Sequence, residues 1–305
     1  MTRILLQSFK PSLVILGIFV ALFCRSTTAQ PMQTVYFDQY LEKRNSAGGG
    51  SAWVFEQFCP VSKSLIARRV LESYGSMFVA KESVNVPTTC VQKGEGQVLA
   101  FQKKASRSQM DIRGVRIDLQ SAAAQALQQS IDEAATLNLA ITPFDGSIAG
   151  GRSYGDTLML WNSRVFPGLS YWTRQGKLNS VDVEELGKLD LEKKVEKILE
   201  WESRGIYFST DRSRSILTST APPGTSQHLA LIAFDVVECW DPQVRAILNR
   251  NGWFQTVIDD PGHFTYLGVP ETELPSRGLL AVAKGSYLYW IPNLPPTAAS
   301  PQPTN

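Results

Sequence analysis

Histidine is scarce in this chain: only His228 and His263 occur among its 305 residues. Lys and Arg are nearly balanced by Asp and Glu, and no basic run is interleaved with aromatic residues, so nothing indicates a nucleic-acid partner. No cysteine pair has zinc-finger spacing, and no internal repeat is visible. Any chemistry that needs an imidazole must therefore use these two residues.

Long apolar runs are also rare, and the one at residues 13–23 follows a short basic head. It is shorter than the roughly 20 residues that span a bilayer. Small residues before Gln30 favour cleavage there, so residues 1–29 are interpreted as a signal peptide. A lipoprotein signal ending at Cys24 is a second interpretation, and an uncleaved anchor is a third. The first predicts an exported protein, periplasmic or extracellular, without a stable membrane span after cleavage.

Cysteine is sparse as well, with four residues in the whole chain. Three remain after the predicted cleavage, and export would place them where disulfides form. Cys59 and Cys90 are the candidates for a bridge. Cys239 is then left over, and we interpret it as a small buried hydrophobic residue rather than a nucleophile.

The chain divides into four predicted parts. These are a signal peptide (1–29), an N-terminal accessory region (30–118), a main domain (119–291) and a Pro-rich disordered tail (292–305). Glycines at 47–51 predict a flexible joint. Apolar periodicity and the positions of Gly and Pro predict helices at 62–74, 119–137, 157–165, 181–204 (one helix or a pair) and 242–251, strands at 79–86, 96–102, 139–142, 229–237, 253–258 and 264–269, and a hairpin at 278–291.

Each histidine has a carboxylate near it in sequence. Asp235 follows His228 by seven residues, and Asp260 precedes His263 by three. Two imidazoles and one carboxylate form a zinc-type ligand set with an open coordination position, and a second carboxylate remains as a base. A continuous strand would hold His228 and Asp235 about 23 Å apart, and a helix about 10 Å apart. A metal site therefore predicts a sharp turn between them, with Asp235 inside the following strand.

The second histidine follows the turn pair Pro261-Gly262. Such a turn brings Asp260 and His263 to one side of the chain. We interpret His263 as a ligand and Asp260 as a base that stays off the metal and accepts a proton from bound water. Asp259 is the second candidate for the base.

These residues resemble motifs of the zinc D-alanyl-D-alanine carboxypeptidases and dipeptidases of the VanY type. The motif S-x-H-x-x-G-x-A-x-D is matched by Ser226, His228, Ala233 and Asp235. The motif E-x-x-H-F-x-Y is matched by His263, Phe264 and Tyr266, with Asp260 in place of the glutamate. An upstream R-S-Y is matched by Arg152, Ser153 and Tyr154. The resemblance covers about residues 120–270.

Three positions depart from the family pattern. Leu231 stands where the first motif has glycine, and Gly262 stands where a tryptophan often precedes the histidine. Asp260 is one methylene shorter than the usual glutamate. Aspartate occurs there in the endopeptidase branch of the family, which favours endopeptidase over strict carboxypeptidase activity.

The resemblance implies both a fold and a reaction. The fold is α+β, a small central antiparallel sheet flanked by helices, as in hedgehog and DD-peptidase domains, here with the accessory region added. Zn²⁺ is held by His228, Asp235 and His263, and Asp260 acts as the base. Arg152 binds a substrate carboxylate. Ser226 is the second predicted substrate-binding residue, a hydrogen-bonding side chain in the loop near the metal rather than a nucleophile. The implied substrates are peptidoglycan stem peptides.

Two other hypotheses remain open. One is a non-catalytic cell-wall-binding module that keeps the fold and the metal, which the departures at Leu231 and Gly262 favour. The other assigns the function of the protein to residues 31–118 and treats the main domain as a scaffold. The first predicts binding without turnover, and deletion of 31–118 tests the second.

Overall fold

The structure, a computed structural model, describes residues 35–46 and 53–296. The predicted signal peptide, the joint at 47–51 and residues 297–305 of the predicted tail lie outside the described residues. Helices and small antiparallel sheets make up the described chain, as the α+β class predicts. Within it, no helix is both long and apolar enough to cross a lipid bilayer.

The strands of the described chain pair antiparallel in small sheets. β1 pairs with β2, β6 pairs with β7, and the central sheet has the order β3-β5-β4. These strands are β1 (Arg107–Ile112), β2 (Val115–Gln120), β3 (Ala233–Asp235), β4 (Trp253–Gln255), β5 (His263–Tyr266), β6 (Leu279–Lys284) and β7 (Tyr287–Pro292). The helices are α1 (Phe37–Ser46), α2 (Phe55–Phe58), α3 (Leu65–Tyr74), α4 (Glu95–Lys104), α5 (Ser121–Thr136), α6 (Tyr154–Arg174), α7 (Ser180–Lys188), α8 (Leu191–Ser203) and α9 (Pro242–Arg250).

The central sheet places the candidate site on one of its faces. Phe234 of β3 lies opposite Phe264 of β5, and both are fully buried in the main hydrophobic cluster. Because side chains alternate along a strand, Asp235 and its cross-strand partner His263 point to the other face. The register therefore sets these two residues, distant in sequence, side by side.

One hydrophobic cluster joins the predicted accessory region to the predicted main domain. It includes Phe37 and Phe78 from the first and Phe234 and Trp253 from the second. The boundary predicted at residue 118 falls inside β2, and the described residues on its two sides lie in one compact unit. A second cluster packs α6, α7 and α8 against one another.

Most predicted helices are confirmed: α3, α5, α6, α9 and the pair α7 and α8 lie where the sequence predicts them, as does the β6-β7 hairpin. The strand predicted at 96–102 is wrong, because α4 occupies this segment. Glu95 in its first turn and Lys103 and Lys104 in its last turn favour a helix through the helix dipole. Val98 is the buried position of α4, so the segment lacks the buried alternation of a strand.

The strand predicted at 79–86 is also wrong, since Val79 ends a 3-10 helix and turns follow it. The strand predicted at 139–142 is absent, and the adjacent Pro143 makes only an isolated bridge with Val236. Proline has no backbone N–H to extend a ladder, which limits pairing there. The strand predicted at 229–237 is reduced to β3.

The predicted bridge between Cys59 and Cys90 is present, with Cα atoms 5.4 Å apart. It connects the end of α2 to the loop that leads to α4. Cys239 is a free cysteine and is half-buried.

Candidate metal centre

Three side chains that could hold a metal ion converge on the site face of the central sheet. Nε2 of His228 lies 3.1 Å from Nδ1 of His263. Oδ1 of Asp235 lies 3.0 Å from that Nδ1 and 3.3 Å from Nε2 of His228. The structure therefore brings together the three residues that the sequence predicts as ligands.

The predicted turn between His228 and Asp235 is confirmed. Residues Gln227–Ala230 form a 3-10 helix, which Ser226 caps by accepting a hydrogen bond from the backbone N–H of His228. Leu231 then takes a left-handed conformation with φ of 59°. Two residues later β3 begins and carries Asp235 back to the histidine.

Leu231 adopts a backbone conformation that favours glycine, which is the residue at this position of the motif that the chain resembles. A left-handed backbone is unstrained for glycine and strained for residues with a Cβ. Leucine occupies it here with its side chain 1% exposed. Burial of that side chain offsets the backbone strain, so the turn is kept without the glycine.

The position of His228 is fixed by a glycine pair ahead of α6. Its Nδ1 lies 2.6 Å from the carbonyl oxygen of Gly150, which can only accept, so Nδ1 carries the proton and Nε2 is left bare. A Cβ on Gly150 would lie 2.6 Å from Ile117, and one on Gly151 would lie 2.4 Å from Leu231. The close approach of this loop to the site therefore requires both glycines. Burial lowers the pKa of His228 to about 4, which keeps its imidazole neutral.

His263 is fixed by buried polar side chains. Its Nε2 lies 2.7 Å from Oε1 of Gln227, and its Nδ1 faces Asp235. Thr265 also donates to Oε1 of Gln227, and Thr256 bonds to Thr265. Gln227, Thr256 and Thr265 are fully buried, so they hold the imidazole without help from bulk water.

Arg152 contacts the aspartate of the ligand set. Its Nη2 donates to Oδ2 of Asp235 over 2.6 Å, and its Nε donates to the carbonyl of Ile148 over 2.7 Å. The pKa of Asp235 lies below its usual range although burial opposes ionisation, and the guanidinium of Arg152, which donates to Oδ2, favours the charged form. Arg152 thus orients a candidate ligand, and its role towards substrate stays a prediction.

The capping box of α6 sets where Arg152 lies. Ser153 accepts a hydrogen bond from the backbone of Asp156, and the Asp156 carboxylate accepts one from the backbone of Ser153. This starts the helix immediately after Arg152 and fixes the direction in which the chain leaves the glycine pair. The R-S-Y segment therefore joins a site arginine to a helix cap.

We expect Arg152→Lys to weaken metal binding. A lysine cannot contact Ile148 and Asp235 together, because it lacks the guanidinium fork. Loss of a residue that orients a ligand raises the dissociation constant for a divalent metal ion about 10–100-fold. Competition with a chromogenic chelator measures the change. Arg107→Lys, in a more exposed arginine–aspartate pair, is the control. If Arg152→Lys raises KM but leaves the metal affinity unchanged, Arg152 binds substrate and does not orient a metal ligand.

Asp260 lies beside the ligand set rather than in it. Among the described residues its carboxylate makes no hydrogen bond, and its backbone carbonyl accepts from the N–H of His263. Burial raises the pKa of Asp260 to about 6, with His263 and Arg152 opposing the shift and Asp235 adding to it. A carboxylate with a raised pKa that lies near the candidate ligands can act as a general base.

Asp259, the second candidate for the base, is committed elsewhere. Its carboxylate forms ion pairs with Lys284 at 2.7 Å and with Arg214 at 3.4 Å. Its backbone takes a left-handed conformation with φ of 66°. Of the two neighbouring aspartates, Asp260 is therefore the one available for proton transfer.

The sequence did not reveal several groups that complete the site. Gln227 and Gly150 bind the outer nitrogens of the two histidines, and Thr265 supports Gln227. Thr265 could have been found, because it lies two residues after His263 and on the same strand face. Phe144 was also missed. Its backbone N–H donates to the backbone carbonyl of Asp235, and its side chain is exposed.

Comparison of the chain with known protein families, with curated proteins and with solved structures gives no match. What the structure shows is a buried His228, Asp235 and His263 group that could bind a metal ion.

Proposed function

We propose that this protein is an exported zinc-dependent peptidase that hydrolyses peptidoglycan stem peptides. The observation that carries the proposal is the spacing of the three ligand atoms, which are 3.0, 3.1 and 3.3 Å apart. Bonds of about 2.0–2.1 Å around a tetrahedral zinc ion place neighbouring ligands about 3.3–3.4 Å apart. The three atoms thus already lie near the corners of such a tetrahedron.

The charges at these atoms also support a bound cation. His228 and His263 each hold a proton on the nitrogen that faces a carbonyl acceptor, Gly150 or Gln227. Neutral imidazoles then direct bare lone pairs at each other and at the ionised carboxylate of Asp235. Three acceptors in contact repel one another unless a proton or a metal cation lies among them.

The surrounding residues suit hydrolysis. A bound zinc ion would supply a Lewis acid and lower the pKa of an attacking water. Asp260, whose carboxylate makes no hydrogen bond within residues 35–46 and 53–296, accepts the proton of that water and transfers it to the leaving amine. Arg152 keeps Asp235 oriented, and by the motif resemblance its guanidinium would also bind a substrate carboxylate.

The substrate class and the fold family follow from the motif resemblance. The R-S-Y, S-x-H and H-F-x-Y matches lie at Arg152, Ser226 and His263, and the α+β architecture is compatible with the hedgehog and DD-peptidase fold. Asp260 in place of glutamate favours endopeptidase cleavage of the stem peptide over D-Ala-D-Ala trimming. The Cys59–Cys90 bridge fits an exported protein.

Metal analysis and a hydrolysis assay test this function together. We expect about one zinc ion per purified chain and release of new amino termini from a stem pentapeptide, detected by mass spectrometry. Chelator treatment should stop the release and zinc should restore it. Protein that holds no zinc, or that leaves muropeptides intact with zinc added, contradicts the proposal.

The second candidate is a binding module with a structural metal. The burial of the ligands favours it, since the His228, His263 and Asp235 side chains are 1%, 6% and 14% exposed, which restricts access to the metal. Glycine at position 262 also removes the tryptophan side chain that often stands there in the motif. This candidate predicts binding of stem peptides without turnover and no effect of changes at Asp260.

A further inference from the structure

Gln227 precedes His228 in sequence, but its side chain contacts the other histidine. Its Nε2 donates to the backbone carbonyl of Tyr74 over 2.9 Å. Because a carbonyl oxygen can only accept, this contact fixes which end of the amide is nitrogen. Oε1 is therefore the atom that lies 2.7 Å from Nε2 of His263.

The amide orientation determines the tautomer of His263. Oε1 has no proton to give, so Nε2 of His263 must carry one. In the neutral imidazole Nδ1 is then bare. This nitrogen lies 3.0 Å from Oδ1 of Asp235 and 3.1 Å from Nε2 of His228.

Two threonines restrict the alternatives. Thr265 donates its hydroxyl proton to Oε1 of Gln227, and Thr256 lies 2.7 Å from the hydroxyl of Thr265. That hydroxyl is 3.4 Å from Nε2 of His263, a longer contact than the amide makes. All three side chains are fully buried, so bulk water cannot replace the acceptor.

We propose that Gln227 is a positioning residue that locks His263 in its Nε2–H tautomer, with Nδ1 presented to the metal, and so sets the zinc affinity of the centre. The proposal rests on the zinc site of the proposed function but on no substrate. Partners at the outer nitrogen of a ligating histidine change metal affinity by about 10–100-fold.

Nitrogen NMR reads the tautomer directly. The chain has two histidines, so ¹⁵N-histidine labelling with a histidine-free purification tag gives signals from only two imidazoles. In metal-free protein at neutral pH, long-range ¹H–¹⁵N spectra should show His263 protonated at Nε2 and His228 protonated at Nδ1. A His263 that carries its proton at Nδ1 and leaves Nε2 bare overturns the proposal without any variant.

Variants at Gln227 test the effect on zinc. In Gln227→Leu we expect His263 to populate both tautomers and the zinc dissociation constant to rise about 10–100-fold. Gln227→Glu restores an acceptor and should bring both properties back towards those of the unchanged protein. Gln128→Leu makes the same change on α5, where the amide donates to Asp132 outside the site, so it is the matched control.

The outcomes separate this proposal from the proposed function. An unchanged tautomer and zinc affinity in a folded Gln227→Leu protein contradict the positioning role, even if the protein hydrolyses peptides. A tautomer and zinc affinity that respond to Gln227, in protein that cleaves no muropeptide, support the positioning role and contradict the peptidase.

Discussion

Replacing His263 with alanine is expected to abolish zinc binding and hydrolysis together. The imidazole supplies one of the three candidate ligand atoms, and the chain has no third histidine to replace it. Loss of an outer partner of a ligand weakens binding about 10–100-fold, so loss of the ligand itself should exceed that range. Metal content after dialysis and release of amino termini from a stem pentapeptide measure the two effects.

The same variant should lose its stabilisation by zinc. A ligand that binds only the folded state adds about 2.7 kcal/mol of stability at 100 times its dissociation constant. Thermal unfolding with and without zinc should therefore differ for the unchanged protein and coincide for His263→Ala.

Tyr266→Phe is the matched control for His263→Ala. It lies on the same strand, but its side chain points to the opposite face and packs on Trp253, so it should keep the zinc effect. Zinc bound equally well by His263→Ala would exclude His263 as a ligand.

The ligand set could be predicted because local spacing carries most of the information. Only two histidines are available, and the seven residues from His228 to Asp235 allow one metal only if the chain turns. The structure supplies that turn with a 3-10 helix and the left-handed Leu231. An aspartate in a run of apolar residues was itself a signal, since its burial requires a partner.

The outer contacts of the site could not be predicted because tertiary packing creates them. Gly150 reaches His228 across 78 residues and Gln227 reaches His263 across 36. Neither contact leaves a periodic pattern in sequence. The same holds for Arg152, whose contact with Asp235 depends on where α6 begins.

The domain boundary shows a similar difference between local and distant information. The sequence of residues 30–118 predicts an accessory region that ends at residue 118. β2 runs through that position, however, and packs against β1, which precedes it in sequence, and against α5, which follows it. Local propensity also predicted a strand for α4, where the end charges and one buried valine favour a helix.

Asp260→Asn is expected to separate catalysis from metal binding. Asparagine keeps the size of the side chain but cannot accept a proton from water, so kcat should fall about 10²–10⁴-fold. Asp260 lies outside the ligand set, so the zinc content should stay the same. Asp259→Asn alters the neighbouring carboxylate, which is held by Lys284 and Arg214, and should leave kcat nearly unchanged. Stem-peptide turnover that is equal in the two variants would exclude Asp260 as the base.

Stability against pH gives an independent measurement of the same carboxylate in chelator-treated protein. Burial raises the folded-state pKa of Asp260 from 3.8 to about 6, so the folded state retains a proton that the unfolded state has released. The free energy of unfolding should therefore fall as pH rises from about 4 to about 6, by up to about 3 kcal/mol. Asp260→Asn removes this loss and should be the more stable protein at pH 7. Denaturant unfolding of both proteins at pH 4 and pH 7 measures the difference. If the free energy of unfolding changes with pH in the same way in both proteins, the pKa of Asp260 is not raised by folding, which would contradict its assignment as a base with a raised pKa.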